Sequence, residues 1–198
     1  GRENVYMNGA ILGMTRAEAL RSPKLYLLIV VIFILSAACG IQQQIPSVLS
    51  GYGFATGKVS AMLSFFTVAL AVGKILQGLL YSKLGPHRGG YLIVAIFAIS
   101  FPVVMQPSLA YPGLALLAVG MGCVTTLMPI LTRFTFGALE YAAIWSILST
   151  ASNVGALIAT PLFGMVYDAS GSYAPAMIAS SVALALSLGL MAICFRKK

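Results

Sequence analysis

The sequence predicts an all-α membrane protein whose chain crosses the bilayer six times. Three observations carry this. The 198 residues are 60% hydrophobic and only 8% charged, whereas about a quarter of the residues in a soluble domain are charged. Several apolar runs exceed the roughly 18 residues that mark a spanning helix. Nearly all the basic residues fall in alternate loops between those runs.

Each element follows from an apolar run and the breakers beside it. Residues 1–23 form a polar lead-in with no small-residue cleavage site after the first apolar run, and read as a loop internal to a longer chain. The transmembrane domain is expected over 24–195, with 196–198 as a basic tail. The first span runs from about Lys24 to Gln44 and is stopped by Pro46 and the "SGYG" turn. The second runs from about Lys58 to Tyr81, ending at the "KLGPHRGG" loop. The third covers about Tyr91 to Met105, with Pro102 inside it and Pro107 after it. The fourth runs from about Pro112 to Leu131 and contains Pro129. The fifth reaches from near Glu140 to about Tyr167, and the sixth from about Tyr173 to Phe195. Prolines 102, 129 and 161 are expected to kink their helices by removing a backbone bond. The abundant Gly, Ala, Ser and Thr allow close helix contacts in lipid.

Charge fixes the expected orientation. With a cytoplasmic amino terminus, that side carries Arg2, Arg16, Arg21, Lys24, Lys83, Arg88, Arg133, Arg196, Lys197 and Lys198, and the other side only Lys58. Lys and Arg are retained on the cytoplasmic side, so both termini are expected there, in a plasma membrane, the inner membrane of a bacterium. The formal charge of +8 is spread over these short loops and makes no basic groove for nucleic acid.

One cation does not fit the loop pattern. Lys74 lies within the second span, on a face shared at helical spacing by Ser60, Ser64, Thr67, Ala71, Gly78 and Tyr81, with Gln77 beside it. Inserting a central lysine costs about 2.5–3.5 kcal/mol, and such residues commonly mark a substrate path. Three readings stand: a cavity role, snorkelling over the ~12 Å to the helix end, or a structural ion pair. No span offers a central carboxylate, since Glu140 and Asp168 fall at opposite ends of the fifth. The counter-charge therefore comes from outside this chain or is the substrate.

"GLLYSKLGPHRG", Gly78 to Gly89, resembles the cytoplasmic loop motif of the major facilitator superfamily, Gly-x-x-x-Asp-x-x-Gly-Arg-Arg. Gly78 and Gly85 match, Lys83 and Arg88 supply the basic character, and Ser82 stands at the aspartate position. "PLFGMVYDASGSYAPAM" and "FTFGALEYAAIWSIL" are similar to the carboxyl-terminal half of that superfamily. The resemblance implies helices seven to twelve of a twelve-helix transporter, with an amino-terminal six-helix half as partner and residues 1–23 as the cytoplasmic linker between halves. "GMTRAEALRSPKLYLL" and the Gly73-Lys74-x-x-x-Gly78 arrangement resemble the oxalate–formate antiporter and monocarboxylate transporter groups, which implies a basic residue holding a substrate carboxylate. Leu70 occupies the acidic position of the monocarboxylate group. "STASN", Ser149 to Asn153, lacks the second cation of the oxalate group, which favours a monoanion over a dianion.

Other polar residues qualify for a path. Ser36, Gly40, Gln43 and Gln44 lie on a common side of the first helix, and either glutamine is a donor to substrate or a wetted interfacial end. Gly120, Thr125, Thr126 and Pro129 make the fourth span small, polar and kinked. Ser146, Thr150, Asn153, Leu157 and Thr160 recur at helical spacing on the fifth, where Asn153 is the best neutral donor and acceptor. For the residues of the fourth and fifth spans, helix–helix packing is the favoured reading, since Ser and Thr are ordinary interface residues in membranes. Trp145 reads as an interface anchor. His87 is the sole histidine and is expected to be solvated in its loop. Cys39, Cys123 and Cys194 are isolated in apolar runs and read as packed thiols.

No catalytic set, metal cluster or phosphate loop appears, so no enzyme chemistry, cofactor or metal is expected. The expected function is secondary transport of a small organic anion, a carboxylate, by alternating access, antiport included, with Lys74, Gln43, Gln44, Asn153 and Gln77 as substrate residues. The competing expectations are a neutral or drug-like substrate on the same fold, with Lys74 paired to a carboxylate outside this chain, and a stand-alone six-helix protein that transports nothing.

Overall fold

The computed structural model describes residues 13–195 together with Tyr6, Met7, Ala10 and Ile11. Arg2 and the expected basic tail at 196–198 lie outside the described residues. A two-residue antiparallel ladder, β1 (Tyr6–Met7) and β2 (Ala10–Ile11), precedes eight helices: α1 (Arg16–Arg21), α2 (Pro23–Cys39), α3 (Ile45–Gly51), α4 (Thr56–Val104), α5 (Ala110–Met121), α6 (Cys123–Phe136), α7 (Tyr141–Ser170) and α8 (Ala174–Phe195).

Five stretches are long and apolar enough to cross a membrane, and one of them, α4, has 49 residues. A straight helix of that length would measure about 74 Å, more than twice the ~30 Å hydrocarbon thickness. It is two spans joined at Gly85, whose φ of 78° and ψ of 159° interrupt the helical backbone. Glycine adopts that φ without the steric cost a side chain brings. The chain is therefore an integral membrane protein of six spans, as expected. The expected eight-residue loop at "KLGPHRGG" is not a loop, however. Helix runs up to Leu84 and resumes at Pro86, because Pro tolerates a first helical turn where its missing N–H has no partner to lose.

Two other boundaries differ from expectation for related reasons. Pro46 does not stop the first span. The chain tightens to a 3₁₀ segment at Gly40–Gln44, and Pro46 then sits in the first turn of α3. The fourth span is broken at Gly122, between α5 and α6, while Pro129 lies inside α6, which continues to Phe136. Pro161 likewise lies within the unbroken α7.

Helix α4 packs on α5, α6 and α8, and α2 packs on α7 and α8. The core between them holds Leu28, Ile32 and Leu35 of α2, Phe97 and Phe101 of α4, and Leu114 and Leu117 of α5, all essentially excluded from solvent. Small residues set the spacing, as expected. A Cβ at Gly120 would fall 2.5 Å from that of Phe97, and one at Gly155 would fall 2.6 Å from the Phe33 carbonyl oxygen. Outward positions are strongly apolar, with Leu157 74% exposed and Ile75 66%, which suits contact with lipid tails.

The basic segments gather at one end. The Met14 N–H donates to the Phe136 carbonyl at 2.7 Å, and Gly13 bridges Gly137. The Arg16 N–H donates to Glu140 Oε2 at 2.5 Å. Helix α1 is closed by a capping box in which Thr15 and Glu18 each satisfy the other's backbone N–H. His87 belongs to this end but is not freely solvated. It is half-buried, its ring 4.4 Å from that of Phe195 and 6.0 Å from that of Phe134, because the one-residue turn folds it back onto the bundle. Trp145 stacks parallel on Tyr141 in the first turn of α7. At the opposite end, Tyr52 donates to the Val104 carbonyl at 3.2 Å, Tyr173 donates to Gln44 at 3.1 Å, and the Lys58 ammonium lies 4.4 Å over the Phe54 ring.

Candidate functional site

Four of the six spans meet at a cleft of about 190 Å³ that contains Lys74. Ser36, Cys39 and Gln42 come from the first span and Leu70 and Lys74 from the second. Met121, Val124 and Thr125 come from the fourth, and Ser152 and Ala156 from the fifth. Ser36 and Ser152 close one wall with a hydroxyl–hydroxyl bond of 2.6 Å. Thr125 returns its hydroxyl to the Gly122 carbonyl at 3.1 Å, at the break in the fourth span.

The surroundings of Lys74 divide α4 into faces. Ser60, Ser64, Thr67, Ala71, Lys74 and Gly78 are all exposed along one polar stripe. The Ser64 and Thr67 hydroxyls turn back to their own helix carbonyls at 3.1 and 3.0 Å. A second exposed face carries Val68, Val72, Ile75 and Leu79. The apolar face suits lipid, whereas the polar stripe would leave hydroxyls and an ammonium in hydrocarbon at a cost of several kcal/mol. Among the described carboxylates, none stands near Lys74: Glu18 and Glu140 lie at the basic end and Asp168 lies in the last turn of α7.

The expected substrate residues do not all converge. Lys74 lines the cleft. Gln77 does not, because its side chain is fully buried between the second and fourth spans. It donates through Nε2 to the Val119 carbonyl, and its Oε1 is reached by the Thr126 hydroxyl and by Tyr81 at 3.2 Å. Gln44 is held by Tyr173 at the far end, Gln43 is exposed away from the cleft, and Asn153 is exposed on the α7 face next to Ser152. Gln42 takes the place expected of its neighbours. Ser36 and Cys39 lie one turn apart at the end of α2, and the 3₁₀ segment that follows, with three residues per turn, carries Gln42 onto the same line. Ordinary α-helical spacing points to Gln43 instead, and nothing in the local sequence except Gly40 marks the change.

The loop-motif residues behave as a turn. Gly85 makes the reversal, Ser82 donates to the Leu79 carbonyl at 2.8 Å, and Lys83 and Arg88 are exposed on either side. Gly78 belongs to the exposed polar stripe. Cys123 and Cys194 are buried, as expected of packed thiols, while Cys39 is half-buried at the cleft wall.

No family model matches the chain, and no curated protein matches it in sequence. Among solved structures, the chain is similar to the E. coli fucose:proton symporter FucP, with a TM-score of 0.74 at 16% sequence identity. The match covers 91% of this chain and 45% of the symporter's, so the chain spans a little under half of that protein's length. The fold is accordingly that of about half of the symporter's chain, a six-span helical bundle. At 16% identity the likeness is one of fold and assigns no subgroup.

Proposed function

We propose that this chain is the carboxyl-terminal half of a secondary active transporter that moves a small organic anion, a carboxylate, by alternating access. The observation that carries the reading is the unpaired setting of Lys74. Lys74 lines a four-helix cleft on an uncovered polar stripe, and no described carboxylate lies near it. Opposite charges about 4 Å apart gain roughly 4 kcal/mol at an effective dielectric of 20, enough to offset the insertion cost of the lysine. Gln42, Thr125 and the Ser36–Ser152 pair supply neutral hydrogen bonds around that charge. In this reading the polar stripe faces an amino-terminal six-helix half, residues 1–23 link the halves, and the two halves rock about a midplane site. The basic end faces the cytoplasm of a bacterial cell, by the retention of Lys and Arg on that side.

A second reading is favoured by the cleft's own chemistry. Apart from Lys74, its polar groups are hydroxyls, an amide and the Cys39 thiol, which suit a neutral polyhydroxylated substrate, and one similar solved structure is a fucose:proton symporter. Lys74 then pairs with a carboxylate of the other half.

Uptake by the full-length protein in proteoliposomes separates the two. With a radiolabelled small monocarboxylate, Lys74→Gln lowers uptake efficiency by about tenfold or more, and Lys74→Arg retains part of it. Undiminished monocarboxylate uptake by Lys74→Gln rejects the anion reading.

A further inference from the structure

The break at Gly122 leaves a problem that Gln77 solves. Where one helical segment ends and another begins, the last carbonyls of the first have no regular N–H partner. Val119 is in the last turn of α5, and its carbonyl accepts a bond from Gln77 Nε2 on the second span. The other end of the same amide, Oε1, is reached by Thr126 in the first turn of α6. One fully buried side chain therefore spans both sides of the break. The fit is close, since a Cβ on Gly122 would fall 2.8 Å from Gln77 Nε2 and 3.1 Å from its Cδ. Gly73, one turn before Gln77, lets the helices touch: a Cβ there would sit 3.0 Å from the Val119 Cα.

The residues flanking this junction are cleft residues. Met121, Val124 and Thr125 stand at the break, and Lys74 stands one turn from Gln77 on the same helix. We infer that Gln77 is the positioning residue of the cleft: by fastening both sides of the broken fourth span to the second, it sets where Thr125 stands relative to Lys74. This rests on the transport reading for its purpose, but the clamp itself is a matter of geometry. Gln77 touches no substrate. It acts through Val119 and Thr126.

The test uses the full-length protein and two readouts. The first is the rate at which Thr125→Cys is modified by a membrane-impermeant thiosulfonate, resolved by peptide mass spectrometry so that other cysteines do not contribute. The second is the KM and maximal rate of radiolabelled monocarboxylate uptake, in the native Thr125 background. Thr126→Val removes one arm of the clamp, and Thr126→Ser keeps the hydroxyl. Gln77→Asn shortens the amide by one methylene. The clamp predicts that Thr126→Val and Gln77→Asn change the labelling rate at least threefold and raise KM about tenfold, with the maximal rate within twofold. Thr126→Ser stays within twofold of the parent in both. A purely structural role lowers the yield of folded protein and leaves the labelling rate per molecule unchanged. Labelling rates within twofold of the parent in both Thr126→Val and Gln77→Asn overturn the inference. Uptake insensitive to Lys74→Gln overturns the anion reading alone, and the labelling result then decides the clamp.

Discussion

Ser36 Oγ and Ser152 Oγ lie 2.6 Å apart and tie the first span to the fifth at the wall of the Lys74 cleft. Ser36 is only 2% exposed, so its hydroxyl has little access to water when its partner is lost. Leaving one buried hydroxyl unpaired costs about 1–3 kcal/mol, whereas removing both partners can be nearly neutral. Ser152→Ala is expected to lower thermal stability in detergent by about that amount. The Ser36→Ala/Ser152→Ala pair should cost less than the sum of the single changes. A strictly additive melt series would show that the two hydroxyls do not interact.

Three consecutive glutamines stand in three different settings, and substitution should sort them. If the proposed transport holds, Gln42→Ala, in the cleft, is expected to raise the KM about threefold to tenfold, the scale of one lost hydrogen bond. Gln43→Ala, exposed away from the cleft, leaves transport unchanged. Gln44→Ala removes the acceptor of the Tyr173 hydroxyl and lowers stability by about 1 kcal/mol without altering KM. Uptake kinetics of the three variants side by side check this, and a KM effect at Gln43 in place of Gln42 would refute the 3₁₀ register.

Gly122→Ala is expected to be destabilising because the new Cβ meets the Gln77 amide at 2.8 Å. Overpacking of this kind costs about 1–3 kcal/mol. The measurement is a melt of Gly122→Ala in the native background and in a Gln77→Ala background. The second variant has an empty place where the amide stood, so the added methyl should cost markedly less there.

The capping box on α1 makes a prediction about pH. Hydrogen bonds from the Thr15 backbone N–H and then its hydroxyl hold the Glu18 carboxylate below its ordinary pKa of 4.5. A carboxylate with a depressed folded-state value contributes stability that is complete above its unfolded value and is lost as pH falls through the folded one. Amide exchange at Thr15 should therefore be slow above pH 4.5 and, after correction for intrinsic rates, lose protection in more acid solution. Glu18→Gln keeps an oxygen acceptor without the charge and should remove the pH dependence, measured by hydrogen exchange.

The architecture was legible in the sequence wherever it depended on transfer of apolar length into lipid. Six runs, their order and the collection of basic residues at one end all follow from composition and charge. Gly85 was legible as a turn, but its economy was not: a loop of eight residues and a reversal of one have the same composition, and only the backbone distinguishes them. The cleft was legible at Lys74 as a candidate site, because a cation among more than a dozen uncharged residues has few physical excuses. Its companions were not. Gln42 depends on a change of helical pitch at Gly40, and Gln77 depends on a helix break 45 residues away in sequence at Gly122. A reader of single-helix faces sees Gln77 as a neighbour of Lys74, which it is, but cannot see that its amide is already occupied by Val119 and Thr126.

The reversal at Gly85 also bears on how the chain reaches its place in the bilayer. Since one residue separates two spans, the folded chain leaves no slack between them, and the pair can move only as one hairpin. Lys83 and Arg88 flank its tip, both exposed. A residue with a side chain at Gly85 would meet the steric cost of a φ of 78° and would first be felt as a lower yield of folded protein.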